Sequence, residues 1–386
     1  MISYDSSRVS LTYFCLAGLD LLGTLNDSTT PDQRRKWADW LYQHLLVGPT
    51  GFRGSPTHAI DRTQEGIKDN CKIAIDTYDG ANVAATYFAL LSLAVLRDDR
   101  IAAKVNAPKL AAHLARCQHT TGTFAGAFAP NYDEQNKTPL GEPDSRVTYM
   151  AMSVLHLLGQ TTVADRAAAA QFIVASQTYE GGLALLPGAE AHAGYTYCGL
   201  GTLRLLEKEE INKNVELLDV NRMRGWLLRR QIWPTDPLTI GQLRDLEELD
   251  ENAPHHWPLD SQGAFSGRTN KQADTCYCFW GVGSLLALDK LVMGMGVGMG
   301  MGIAETTALS QFNVQAATHF LLEEVQAEIT GGFARAQGTH PDPYHSFLAL
   351  AALSLINGQE LGLTPLVAEL CLCTETTNFI QSLYQV

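Results

Sequence analysis

The chain has 386 residues, 46% hydrophobic and 18% charged, enough to bury a sizeable core in one large domain or two ordinary ones. Its 41 acidic residues against 28 Lys and Arg leave a net charge of −13, which argues against nonspecific nucleic-acid binding and fits a partner with a basic surface or tail. Eight cysteines scattered through apolar runs make no disulfide framework and fit a reducing compartment. The apolar run at 9–23 carries Asp20, lacks a basic n-region and is too short to span a bilayer, and no other run reaches about 18 apolar residues. A soluble, cytoplasmic protein without stable membrane insertion is expected, and its LYQV ending carries no lipidation box.

Internal similarity organises the chain. Residues 7–23, 80–96, 144–159, 191–206, 273–288 and 342–356 read as six helices that are apolar on most faces, which marks buried helices. A glycine turn precedes each of the later five: Gly51-Phe52, Gly122-Thr123-Phe124, Gly181-Gly182-Leu183, Gly263-Ala264-Phe265 and Gly331-Gly332-Phe333. More amphipathic segments lie between, at 33–46, 106–117, 163–176, 220–231 and 312–327. Strand signals are nearly absent. The alternation predicts an all-α fold, a single-domain α/α barrel of six inner and six outer helices over 1–386, with a superhelical solenoid as rival. The barrel is favoured because polar residues recur at the same end of the inner helices. Three stretches interrupt the pattern: a polar loop at 58–78, an acidic, Pro-containing insertion at 233–262 and a Met/Gly alternation at 291–309.

The stretch Gly267–Trp280, GRTNKQADTCYCFW, holds the densest chemistry. Residues two apart do not share a helix face, so Asp274 and Cys276 can serve one site only if Asp274 sits at or before the helix start. A helical run then follows from Phe279 to about Leu291. Arg268 and Lys271 would lie in the entering loop, beside free N–H groups that favour anions. The same residues also read as a capping Asp, a buried Cys and two solvated cations. Taken with the other inner-helix starts, Arg146, His192 and His345, they offer Asp274, Cys276 and His345 as a three-donor set of the kind that holds a catalytic zinc with an open fourth position. His192, Arg268, Lys271 and Tyr277 would line an adjacent anion pocket, with aromatic walls from Tyr149, Tyr195, Phe279 and Trp280. Zinc, a diphosphate-sized anion site and an aromatic barrel suggest transfer of a long apolar group from a diphosphate to a thiolate held on zinc.

The pieces SRVSLTYFCLAGLD, GFRGS, DSRVTY, EAHAGYTYCG, GRTNKQADTCYCFW and GGFARAQGTHPDPYH resemble the β subunit of protein prenyltransferases over nearly the whole chain, most closely the geranylgeranyl type I branch. The resemblance implies one zinc on Asp274, Cys276 and His345, and diphosphate contacts from His192, Arg268, Lys271 and Tyr277. It implies lipid and peptide contacts from Arg146, Tyr149, Tyr195, Cys198 and Trp280, and in the same stretches from Ala193, Gly194, Thr269, Asn270, Cys278 and Phe279. It implies a heterodimer with a helical α subunit that adds a lysine near the diphosphate. The lipid donor would be geranylgeranyl diphosphate, and the acceptors small GTPases of Rho, Rac and Rap type ending in a CaaX box, often with a final Leu. Arg268, Lys271, His192 and Tyr277 would stabilise the departing diphosphate.

Several positions differ within the family. Ala193 stands where its members usually carry glycine, and Tyr344 stands where type I relatives are aliphatic, which bears on peptide preference. Arg335 replaces an Asp with which the farnesyl branch helps to hold Mg²⁺, so activity without magnesium is expected. Ser10 and Leu348 replace a Trp and a Tyr of farnesyl enzymes at the far end of the lipid pocket, leaving room for a fourth isoprene unit. The farnesyl and Rab-type branches are the alternatives within the family. A terpene cyclase would need an acidic D-x-D-D motif, which the sequence lacks, and a non-catalytic scaffold would have no reason to keep the donor and cation sets.

Overall fold

The computed structural model describes residues 7–46, 51–54, 80–206, 217–232, 263–294 and 308–384. Six inner helices carry the core: α1 (Arg8–Leu21), α3 (Val83–Val95), α5 (Ser145–Leu157), α7 (Ala193–Arg204), α9 (Thr275–Gly294) and α11 (Pro343–Asn357). Five outer helices alternate with them: α2 (Pro31–Tyr42), α4 (Ala107–Arg116), α6 (Arg166–Ala175), α8 (Val220–Leu228) and α10 (Val314–His319), the last continued by a π turn over Phe320–Glu324. A C-terminal helix, α12 (Thr374–Tyr384), has no counterpart in the repeat. Each inner helix packs on the next, and α11 returns to α1. That closure decides between the two architectures, because a superhelical stack leaves its first and last helices apart. The fold is an α/α barrel.

Burial explains the alternation. In α3 the residues from Ala89 to Val95 are all buried, as suits a helix inside the ring. In α4 only the stripe Ala107, Leu110, Ala111 and Leu114 faces inward with His113, while Lys109 is exposed. Among the described residues one stretch, Thr275–Met293, is long and apolar enough to cross a membrane; it lies within α9, packed between α7 and α11.

One construction repeats at three of the crossings from an outer helix to the next inner one. Gln118, Gln177 and Gln231 each donate to the carbonyl of a turn glycine, Gly126, Gly181 and Gly263, at 3.1, 3.0 and 3.1 Å. Each also donates to the carbonyl of the following outer helix's N-cap, Asp165, Asp219 and Asn313, and accepts that residue's N–H. The three glycines have φ of +92°, +113° and +88°, and a Cβ there would lie 2.0, 2.4 and 2.3 Å from the backbone of the next outer helix. Just after four of the turns, a backbone N–H donates to a hydroxyl inside the inner helix: Phe52 to Thr86, Phe128 to Thr148, Leu183 to Thr196 and Phe333 to Ser346. These pairings bring the starts of α3, α5, α7, α9 and α11 to one end of the barrel.

Details differ from the sequence reading. The second turn uses Gly126 and Phe128, not Gly122 and Phe124, because Gln118 and Thr148 fix its register. A sixth outer helix is not found among the described residues, and the seam between α1 and α11 is an apolar groove of about 770 Å³ lined by Gly18, Leu22, Phe333, Leu350 and Leu361. Helix α9 begins at Thr275, four residues before Phe279, since Asp274 caps it. Two hairpins of very short strands exist: β1 (Asn131–Asp133) with β2 (Thr138–Leu140), and β3 (Leu366–Val367) with β4 (Leu372–Cys373). The 58–78 and 233–262 segments lie outside the described residues, as does 295–307 of the Met/Gly stretch.

Candidate metal centre

The polar residues at the mouth of the barrel are a ring of helix caps. Asn82, Asp144, His192, Asp274 and Asp342 precede α3, α5, α7, α9 and α11, and each accepts a backbone N–H from the first turn. Asp274 therefore sits just before its helix, as the spacing to Cys276 requires. Its Oδ1 accepts the Cys276 N–H at 2.9 Å and lies 3.2 Å from His345 Nε2. The carboxylate of Asp274, the thiol of Cys276 and the imidazole of His345 bring their donor atoms within 4.8 Å of one another. Bond lengths of about 2.0–2.3 Å to zinc would put tetrahedral donors roughly 3–4 Å apart, so little rearrangement separates this cluster from a metal site.

The electrostatics follow from the packing. Burial opposes ionisation of Asp274, but hydrogen bonds from His345 and Cys276 outweigh it and hold its carboxyl down at about 2. Burial, then the Asp274 charge, pushes the Cys276 thiol well above its usual range. Arg335 Nε pairs with Asp274 Oδ2 at 2.7 Å. His345 Nδ1–H donates to Asp342 Oδ2 at 2.5 Å, and because a carboxylate only accepts, that bond fixes the ring orientation and turns Nε2 toward the cluster. Asp342 is a functional candidate absent from the sequence reading. Its signal was present in Asp342-Pro-Tyr-His345, a cap three residues before a histidine.

The neighbouring polar group is built on α7. Gly194 N–H donates to His192 Nδ1 at 3.0 Å, so the neutral ring carries its proton on Nε2, 3.1 Å from Tyr277 Oη. Burial, then the Arg268 charge, holds His192 down at about 4, neutral at physiological pH. Nε2–H then donates to Tyr277, which leaves the Tyr277 O–H as a donor for a ligand. Burial pushes that phenol up to about 12, so it stays protonated. Gly267 makes room for it, since a Cβ there would meet the Tyr277 ring at 2.1 Å. Arg268 bonds to Glu190 at 3.0 Å, and Lys271 is exposed.

Below these groups lies a cavity of about 380 Å³. Arg146, Tyr149, His192, Gly194, Tyr195, Cys198, Trp280 and Leu348 line it. Tyr344 also lines it, one residue before His345, joining the cavity to the donor cluster. Phe14, Tyr87, Phe88 and Phe347 complete its aromatic wall, and Cys371 enters from the β3–β4 hairpin. A repeated Thr-Tyr-Phe at 12–14 and 86–88 was the unread sign of that wall.

Other anticipated residues fall elsewhere. Cys278 is buried in the place that Thr86, Thr148, Thr196 and Ser346 take in their own helices, meeting the Phe265 backbone, so its thiol serves the turn and not the cavity. Phe279 is fully buried behind the wall, against Tyr197 and Trp280. Ala193 is buried in the first turn of α7. Thr269 faces Glu180 at 3.4 Å, and Asn270 is exposed in the loop at φ +56°. Ser10 is not in the cavity lining; its hydroxyl turns back to the Ser7 carbonyl at 2.9 Å, one turn before Phe14 on the same face of α1.

A closed α/α toroid with a metal-competent cluster above an aromatic cavity defines the class of protein. The model of the prenyltransferase alpha-alpha toroid domain matches residues 1–372, and the chain belongs to that family. It is 26% identical to geranylgeranyl transferase type-1 subunit beta of Arabidopsis thaliana, over 95% of this chain and 82% of the relative. The Pisum sativum protein farnesyltransferase subunit beta is 32% identical over 54% of this chain and 39% of its own length. Among solved structures, Candida albicans protein geranylgeranyltransferase-I complexed with GGPP aligns with a TM-score of 0.78 and 28% identity, covering 100% of this chain and 93% of that one.

Proposed function

We propose that this chain is the catalytic β subunit of a zinc-dependent protein geranylgeranyltransferase of type I, working in the cytoplasm as a heterodimer with an α subunit. The observation that carries the reading is the Asp274–Cys276–His345 cluster at the mouth of an aromatic cavity. A carboxylate, a thiolate and an imidazole suit zinc, and three protein donors leave one position open. Bound there, zinc would supply the positive charge that keeps an acceptor cysteine ionised at neutral pH.

The chain's own residues then divide the remaining tasks. The cavity takes the prenyl chain, with Tyr149, Tyr195, Cys198, Trp280 and Leu348 excluding water. Tyr277 donates its O–H to the diphosphate, oriented by the neutral His192. Arg268 and Lys271 draw near the leaving diphosphate, which requires Arg268 to exchange Glu190 for a phosphate oxygen. As the C1–oxygen bond breaks and the acceptor sulfur bonds to C1, these donors stabilise charge gathering on the leaving group. Arg335 adds a permanent cation at the mouth, so transfer should proceed without added magnesium. Acceptors would be CaaX-box small GTPases of Rho, Rac and Rap type.

The farnesyl branch is the second reading, favoured by Tyr344 in the cavity wall and by the likeness to the pea farnesyl subunit. The test is co-expression with an α subunit, then a comparison of farnesyl and geranylgeranyl transfer to CaaL and CaaS peptides. Preference for geranylgeranyl and CaaL, unaltered by removing magnesium, is expected. Preference for farnesyl and CaaS moves the chain to the other branch, and no transfer of either lipid ends the proposal.

A further inference from the structure

The cavity has a mouth and a floor. Arg146, His192, Tyr195 and Tyr344 stand at or near the helix starts, whereas Tyr13, Tyr87, Tyr149, Cys198 and Leu348 come from the second turns of their helices. At 1.5 Å per residue, that places the second group roughly 6 Å deeper. Cys371 joins them from outside the ring, carried by the turn Ala368–Cys371 between β3 and β4.

This turn is held from several sides. Tyr13, Tyr149 and Tyr197, from α1, α5 and α7, donate their hydroxyls to the carbonyls of Cys371, Glu369 and Ala368. The Glu369 carboxylate pairs with Lys290 of α9 at 2.9 Å and Arg204 of α7 at 3.3 Å. Four of the six inner helices thus fix one short turn, so it cannot yield to a ligand pressing on it. Cys371 has φ +55°, a left-handed conformation that glycine adopts without cost and other residues adopt at some strain. A side chain is nevertheless present, its sulfur 3.1 Å from Tyr197 Oη. Burial pushes the thiol up to about 12, which leaves a small, neutral, polarisable surface facing the apolar space.

We propose that the Ala368–Cys371 turn is the stop against which the far end of the prenyl chain rests, and that the Cys371 side chain sets the chain length the cavity takes. This rests on the transferase reading above. It differs from the length reading at Ser10 and Leu348 because the determinant lies outside the helix ring.

The test measures kcat/KM of the α/β complex for farnesyl and geranylgeranyl diphosphate with one CaaL peptide, in the wild type, Cys371→Gly and Cys371→Met. Glycine suits the positive φ, so that variant should melt at or above the wild-type temperature. It should raise the geranylgeranyl-to-farnesyl ratio several-fold, and Met should lower it about tenfold by filling the floor. Movement in opposite senses supports the stop. If Cys371→Met does not fold, the Gly variant decides alone. Wild-type transfer with a ratio that Cys371→Gly leaves unmoved overturns this inference and leaves the transferase reading standing. A wild type that transfers neither lipid brings down both.

Discussion

The starts of α5 and α9 are the same local structure put to different ends. Asp144 and Asp274 both cap an inner helix by accepting the N–H two residues on. At α5 the carboxylate also accepts the Val147 N–H and pairs with Arg146 at 2.7 Å, and among the described residues it joins no three-donor cluster. At α9 the residue two on is Cys276, and α11 swings His345 to 3.2 Å. A capping carboxylate is therefore not a site in itself. It joins a donor cluster where the neighbouring helix and the first turn supply the other donors, as the direct packing of α11 on α9 does here.

The contrast predicts a graded set of effects. The largest should follow Asp274→Ala or Cys276→Ala, each reducing the α9 mouth to something like α5. Loss of an outer-shell partner alone typically costs about 10–100-fold in metal affinity or activity, so these changes should lower kcat/KM by well over about 100-fold. Unchanged turnover in either variant would remove that donor from the site.

A second effect concerns the cap at α7, where a ring nitrogen replaces a carboxylate. Protonated His192 loses its acceptor, so the cap fails in acid. Its pKa is lowered in the fold, to about 4, so its contribution is fully present above about 6.5 and is lost as pH falls toward 4. The loss reaches on the order of 3 kcal/mol at the bottom of that window. Buried His113, also held down at about 4, adds to the slope. Thermal melting across pH 7 to 4 should fall steeply, and His192→Asn, which caps without titrating, should flatten part of the curve. An unchanged slope contradicts the neutral cap.

Asp342→Asn sharpens the comparison further. Asparagine keeps the cap of α11 but lacks the charge that holds His345 Nδ1–H. Zinc affinity should drop about 10–100-fold with helix stability preserved. A chelator competition that separates variant from wild type by less than twofold would count against the orienting role. The smallest effect is expected from Asp144→Ala: about 1 kcal/mol in denaturant unfolding, with zinc content untouched.

Much of this was legible in the sequence, for identifiable reasons. The inner helices announce themselves because a buried helix must be apolar on most faces, and the donors do because Asp274 and Cys276 stand two apart at a helix start. Asp342 was missed because a capping Asp before a helix is ordinary until His345 is seen folded against it. Cys278 was misplaced because only the repeat of Thr86, Thr148, Thr196 and Ser346 against the turns reveals its part in the scaffold. Ser10 follows from a family position, whereas the local hydrogen bond to Ser7 and the cavity lining depend on packing. The floor at Ala368–Cys371 left no periodic trace, since strands of two residues are too short to carry one.

Zinc at the paired helix starts of α9 and α11 is the proposal on which the other expectations depend. The most direct measurement is zinc content of the purified α/β complex by elemental analysis, for wild type and His345→Ala side by side. About one zinc per β chain in the wild type and close to none in the variant is the expected result. Full zinc and turnover in His345→Ala, or an active wild type without zinc, would contradict it.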